Sequence, residues 1–169
     1  MGVFSKFLKS KNSSIRQDKL NRHFIFIEES ADLIAAEIIL WGEAFWWPKN
    51  SVMQFTRLTP GEIRVGTRYR QQVLLPFAPS WEVEVTKFDP QGEIERTFLS
   101  GMFKGKETVR LEERYNGTKV DYLMQYQIQG VVNKILWLMV FQKMHDQNLE
   151  MILKSLRDYI MKKKEANYL

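Results

Sequence analysis

Val131-Val132-Asn133-Lys134-Ile135-Leu136-Trp137-Leu138-Met139-Val140-Phe141 opens a helical pattern that runs to about Lys163 and follows an unbroken series of strand-like segments. One terminal helix behind so many strands points to an antiparallel sheet curled around it, an α+β arrangement. The quoted stretch is apolar on nearly every face. It must therefore bury all of them or line a space that accepts apolar matter. At 1.5 Å per residue the whole helix spans about 45 Å. Its second half turns amphipathic, with Lys143, Asp146, Gln147, Glu150, Lys154 and Arg157 outside. The first half is expected to be buried on all sides and to wall a hydrophobic pocket.

Working back from the helix, residues 118–128 form a strand behind Asn116-Gly117, a strong hairpin signal. Residues 106–114 and 93–103 read as strands separated near Lys104-Gly105, and residues 81–88 end at Asp89-Pro90-Gln91-Gly92. Residues 66–75 run into the loop Pro76-Phe77-Ala78-Pro79, and residues 52–58 into the turn Thr59-Pro60-Gly61-Glu62. The first strand covers residues 23–28. Ser30 is placed to cap a helix over 31–40, and a second short helical segment holds the aromatic cluster from Trp41 to Trp47 before Pro48 ends it. The expectation is six to seven strands, two short helices after the first strand, and one long final helix.

The chain has 169 residues, 44% hydrophobic and 27% charged, a composition typical of a folded globular domain. The apolar run from Ile135 to Phe141 is far shorter than the roughly 20 residues that span a bilayer. With no cysteine, disulfides, thiolate nucleophiles and cysteine metal sites are excluded. His23 and His145 lack a metal-ligand spacing, so no metal is expected. No dinucleotide fingerprint or phosphate loop appears, so no cofactor is expected either. The net charge of +5 is located entirely in residues 1–22, where six cations face the single acid Asp18. Residues 1–22 read as a basic extension and 23–169 as one domain. The domain is charge-neutral, which argues against a nucleic-acid partner. Val3, Phe4, Phe7 and Leu8 fall at helical spacing opposite Lys6 and Lys9, a pattern suited to peripheral contact with an anionic membrane. With no apolar leader at the N-terminus, the expected address is cytoplasmic.

Strand alternation assigns the inner face. Val120, Tyr122, Met124, Tyr126 and Ile128 point inward on the last strand, as do Trp81, Val83 and Val85 on theirs. Tyr69, Gln71 and Val73 share one face, and Ile94, Arg96 and Phe98 another, which sets Arg96 among apolar neighbours. Glu107 and Glu113 travel with Val109 and Leu111. Tyr69, Trp81, Val83, Arg96, Tyr122, Met124, Tyr126, Trp137 and Phe141 are the candidate ligand-binding residues. Arg96 is the polar anchor for an anionic or carbonyl ligand, or it pairs across the hairpin with Glu107 or Glu113. A catalytic reading needs an acid or base, and Arg96, Glu107 and Tyr122 are the available set. His145 shares a helix face with Leu138, Leu149 and Ile152, as a pocket residue or a hydrogen-bonded edge residue. Residues 41–47, 74–79 and the start of the last helix are expected to converge as a mouth.

Several segments carry a family likeness: Trp46-Trp47-Pro48, Val65-Gly66-Thr67-Arg68-Tyr69, Trp81-Glu82-Val83-Glu84-Val85-Thr86-Lys87-Phe88-Asp89-Pro90, and Asn116-Gly117-Thr118-Lys119-Val120. With the element order, they resemble the START-like, Bet v 1-like helix-grip superfamily (SRPBCC) and its bacterial polyketide cyclase/dehydrase-like branch, over roughly residues 22–163. The resemblance implies a helix-grip fold. It implies either a carrier or sensor of a small hydrophobic molecule, or a cyclase, aromatase or dehydratase acting on a hydrophobic carbonyl substrate. A membrane-surface or protein interaction module is the remaining alternative. These motifs mark strand starts and turns, so they speak to fold more than to function.

Overall fold

The computed structural model describes residues 18–76 and 78–166. The strands are β1 (Lys19–Ile27), β2 (Met53–Arg57), β3 (Arg68–Val73), β4 (Ser80–Asp89), β5 (Glu93–Phe98), β6 (Phe103–Arg114) and β7 (Gly117–Ile128). They form one sheet in the order β1-β7-β6-β5-β4-β3-β2, with every neighbouring pair antiparallel. From β2 to β7 the chain is a meander, and β1 closes the far edge against β7. The curled sheet holds a long C-terminal helical segment, the α+β layout expected from the sequence. That segment comprises α2 (Val131–Leu136), a π-helical turn (Trp137–Phe141) and α3 (Gln142–Ala166), which follow one another without a break.

Alternation places the core as read. Val120, Tyr122, Met124, Tyr126 and Ile128 are all buried, as are Trp81, Val83 and Val85. A bulge between Val85 and Lys87 then shifts the register of β4, leaving Thr86 and Lys87 exposed. From the other side α3 buries Leu149, Ile152, Leu153, Leu156 and Ile160. The outer face of the sheet has its own buried acid, Asp121. Arg22 donates Nε and Nη2 to it at 2.8 Å each, Arg110 adds bonds of 3.3 Å, and the Lys119 ammonium lies at 3.7 Å.

Four local features differ from the sequence expectation. β1 starts at Lys19 rather than His23, because residues 19–22 pair with Leu123–Tyr126 of β7 and Asn21 is buried there. The segment around Val3, Phe4, Phe7 and Leu8 lies outside the described residues. After α1 (Ala31–Ile38), residues 39–47 form successive turns, closed by bonds such as Trp41 N to Ile38 O and Trp47 N to Ala44 O, instead of a second helix.

The turn between β5 and β6 falls at residues 99–102, not at Lys104-Gly105. Gly101 takes φ +84° there, and a Cβ on it would come within 2.7 Å of the Trp81 Cβ. Gly105 sits inside β6 opposite Tyr126, where a Cβ would lie 2.1 Å from the Gln125 carbonyl oxygen. It is a glycine of close backbone approach, not of a turn.

The fourth difference lies in residues 131–141. α2 buries no side chain and the π turn buries only Trp137. The apolar residues around Trp137 face outward, with Met139 78% exposed. The expectation of burial on all sides fails, because no other described element covers this length of helix.

Candidate functional site

The inner faces of β3, β4, β5, β6 and β7 bring one polar cluster into the core. Arg96 is completely buried, and its Nη1 lies 3.4 Å from Glu107 Oε1. β5 and β6 put the two residues directly opposite each other in register. Glu107 also accepts Gln71 Nε2 at 2.7 Å and the Tyr122 hydroxyl at 3.1 Å. Gln71 in turn accepts the Trp81 indole N–H at 2.5 Å. The carboxylate is therefore well supplied with donors. The guanidinium is not: Arg96 Nε and Nη2 have no hydrogen-bond partner among the described residues.

The rest of the Arg96 surroundings is aromatic, with its guanidinium carbon 5.4 Å from the Tyr69 ring centre and 5.9 Å from that of Phe55. Such faces attract a cation without satisfying its N–H groups. Burial pushes the Tyr122 phenol well above its ordinary value, and the Glu107 charge and hydrogen bond add to that. Tyr122 is thus a proton-holding donor at neutral pH. Burial also raises the Tyr69 phenol. Glu113 is exposed near the end of β6, so Glu107 is the partner of Arg96.

Trp137 plugs the end of this core. Its indole N–H donates to the Tyr126 hydroxyl at 3.0 Å, and its ring meets Phe103 at 4.8 Å, edge to face. Val83 and Met124 are buried in the same core, and Phe141 is half-buried beside it. The gap enclosed by Val52, Met53, Val73, Pro79, Trp81, Trp137, Phe141, Met144 and His145 measures about 10 Å³, room for one water at most. Of the described residues in 74–79 only Pro79 borders it, together with Trp137 and Phe141 of the final helical segment. Residues 41–47 contribute nothing to its lining, although Trp47 bonds to the Met53 carbonyl. Trp41 instead stacks on Tyr122 at 6.0 Å.

A second cluster is one the sequence reading does not anticipate. Asp146 accepts Asn21 Nδ2 at 2.6 Å, with His23 Nε2 at 3.3 Å and His145 Nδ1 at 3.7 Å. His145, then Asn21 and His23, outweigh burial and lower the Asp146 carboxyl to about 2. The two histidines are far apart in the chain, and only the packing of β1 on α3 unites them. The face of α3 is the available signal for His145; nothing local signals His23.

No family model matches the chain, and no curated protein is matched significantly. Solved structures match it over most of its length. TTHA0849 from Thermus thermophilus is 17% identical at TM-score 0.66, covering 86% of this chain and 99% of that one. A Thalictrum flavum norcoclaurine synthase, solved with a transition-state analogue, is 14% identical at TM-score 0.65, covering 87% and 96%. The ZhuI aromatase/cyclase from Streptomyces sp. R1128 is 12% identical at TM-score 0.63, again covering 87% and 96%. This is the helix-grip fold. Identities this low establish the helix-grip architecture and leave its chemistry to the residues of this chain. No helix among the described residues is long and apolar enough to cross a membrane.

Proposed function

We propose that this helix-grip chain is a cytoplasmic carrier or sensor of a small, largely hydrophobic molecule that ends in a carbonyl or carboxylate. The observation that carries the reading is the buried Arg96, whose Nε and Nη2 have no hydrogen-bond partner among the described residues. A buried charged donor left unpaired is costly, so a ligand acceptor that completes it gains that energy on binding. Tyr69, Trp81, Val83, Tyr122, Met124, Tyr126, Trp137 and Phe141 form the apolar surroundings. Trp81 links the two parts of the site, since its ring borders the small gap and its N–H reaches Gln71 beside Glu107. A ligand pocket of ordinary size measures about 300–1,000 Å³. Binding therefore requires the Trp137–Phe141 turn to swing out, drawing Trp137 from the core.

The test is solvent extraction and mass spectrometry of gently purified protein, followed by titration with a fluorescent long-chain carboxylate. A stoichiometric lipophilic compound is expected, and Arg96→Met should weaken probe binding by about 10- to 100-fold, the loss of a charged hydrogen bond. Trp137→Ala or Tyr122→Ala should weaken it too. Equal binding by folded Arg96→Met protein would remove the anchor from the proposal.

An enzymatic reading rests on the same cluster. Tyr122 donates to Glu107 next to Arg96, an acid and a cation placed to polarise a carbonyl. The named functions of the norcoclaurine synthase and the aromatase/cyclase make this the second reading. Turnover that survives loss of Arg96, Glu107 and Tyr122 together would end it.

A further inference from the structure

We propose that the outward face of α2 and the π turn is a docking surface for an anionic lipid bilayer, a reading that stands independently of what the interior binds. Val131, Ile135, Leu138 and Met139 follow helical i, i+4, i+7, i+8 spacing, and each is at least half exposed. Leu74 and Leu75, exposed in the β3–β4 loop, lie next to Val73, which borders the same gap as Trp137 and Phe141. Exposed apolar residues contiguous on one helix face mark an interaction site.

Charge selects the occupant. Between Asp121 and Asp146 the sequence has no acidic residue, and its charged residues are Lys134 and Lys143, both exposed. Lys104, also exposed, pairs in β6 opposite Gln127, three residues before Gly130 and α2. The described chain begins at this same end: Lys19 pairs with Tyr126, and Asp18 accepts a bond from Gln127 at 2.7 Å. Residues 1–17 attach there and carry Lys6, Lys9, Lys11 and Arg16 with no acid. A second copy of the chain on this face would set lysine against lysine. The chain's own N-terminal segment laid across it would do the same. An anionic bilayer accepts the apolar strip into its headgroup–acyl boundary and neutralises the cations around it.

The experiment is flotation of the full-length protein with vesicles of phosphatidylcholine alone and of phosphatidylcholine containing about one-third phosphatidylserine. The expected result is recovery with the anionic vesicles, weakened by salt, and little with the neutral ones. The double variant Leu138→Glu/Met139→Glu should bind the anionic vesicles at least about tenfold more weakly, with Tm unchanged because both positions are exposed. Gel filtration accompanies both proteins. Absence of flotation by the full chain overturns the proposal, as does equal flotation by the variant. A dimer that the variant disperses also overturns it, since the occupant would then be a second copy.

Discussion

Glu107→Leu is expected to cost the folded state about 3–5 kcal/mol, because it leaves the Arg96 charge buried with no counter-ion. The same substitution strips the acceptor from Gln71 and from the Tyr122 hydroxyl, both buried. Domains of this size are stable by only about 5–15 kcal/mol, so such a loss moves the urea midpoint far towards zero. The reverse substitution, Arg96→Met, should be milder. Glu107 keeps the Gln71 and Tyr122 donors, and the methionine fills much of the vacated volume. The double variant Arg96→Met/Glu107→Leu should recover most of the loss seen in Glu107→Leu alone, since a paired charge replaced by packed apolar groups is close to neutral. Urea denaturation of the wild type and three variants forms a cycle. A Glu107→Leu cost below about 1 kcal/mol would mean that water reaches the guanidinium in solution.

The second large effect lies on the opposite face of the sheet and is tied to pH. Asp121 has a fully buried side chain surrounded by Arg22, Arg110 and Lys119. Burial works to raise its pKa, but the Arg22 hydrogen bonds and the charges of Lys119, Arg22 and Arg110 prevail and hold it below its ordinary value of 3.8. A carboxylate depressed on folding contributes stability that is complete above its unfolded pKa and lost as pH falls through its folded one. Wild-type Tm should therefore fall as pH drops below about 4, and Asp121→Asn should show a flatter profile in that window. At neutral pH the asparagine variant should be less stable by about 1.5–3 kcal/mol, the worth of a hydrogen bond to a charged group. Parallel acid limbs in the two proteins would show that other carboxylates control the transition.

These two sites also show what a sequence carries in legible form. The inward faces of β3, β4, β5 and β7 follow from alternation, a local property, so the residue pattern alone places Tyr69, Gln71, Trp81, Arg96 and Tyr122 on one surface. The same parity adds Glu107 to them. Alternation also turns Asp121 outward, which is its face in the fold. Its burial depends on Arg22 from a strand about a hundred residues away in the chain, which no local pattern contains.

Glycine is ambiguous for a similar reason. Gly101 and Gly105 look alike in sequence, and only the neighbouring strands decide which one turns the chain. The stretch from Val131 to Phe141 misleads because apolar character shows a preference for burial, not the presence of a cover. The histidines around Asp146 need β1 and α3 to meet.

The way Trp137 fastens the final helix has a kinetic consequence. Between Val131 and Phe141 it is the one fully buried side chain, so in the proposed binding role a single indole is the main hold on the segment that a guest would pass. In that role opening would happen at the protein's own frequency, before a guest arrives. Uptake measured by stopped flow should rise with guest concentration and level off at a plateau equal to that opening frequency. Guests of quite different chemistry would share the plateau, since it is a property of the latch alone.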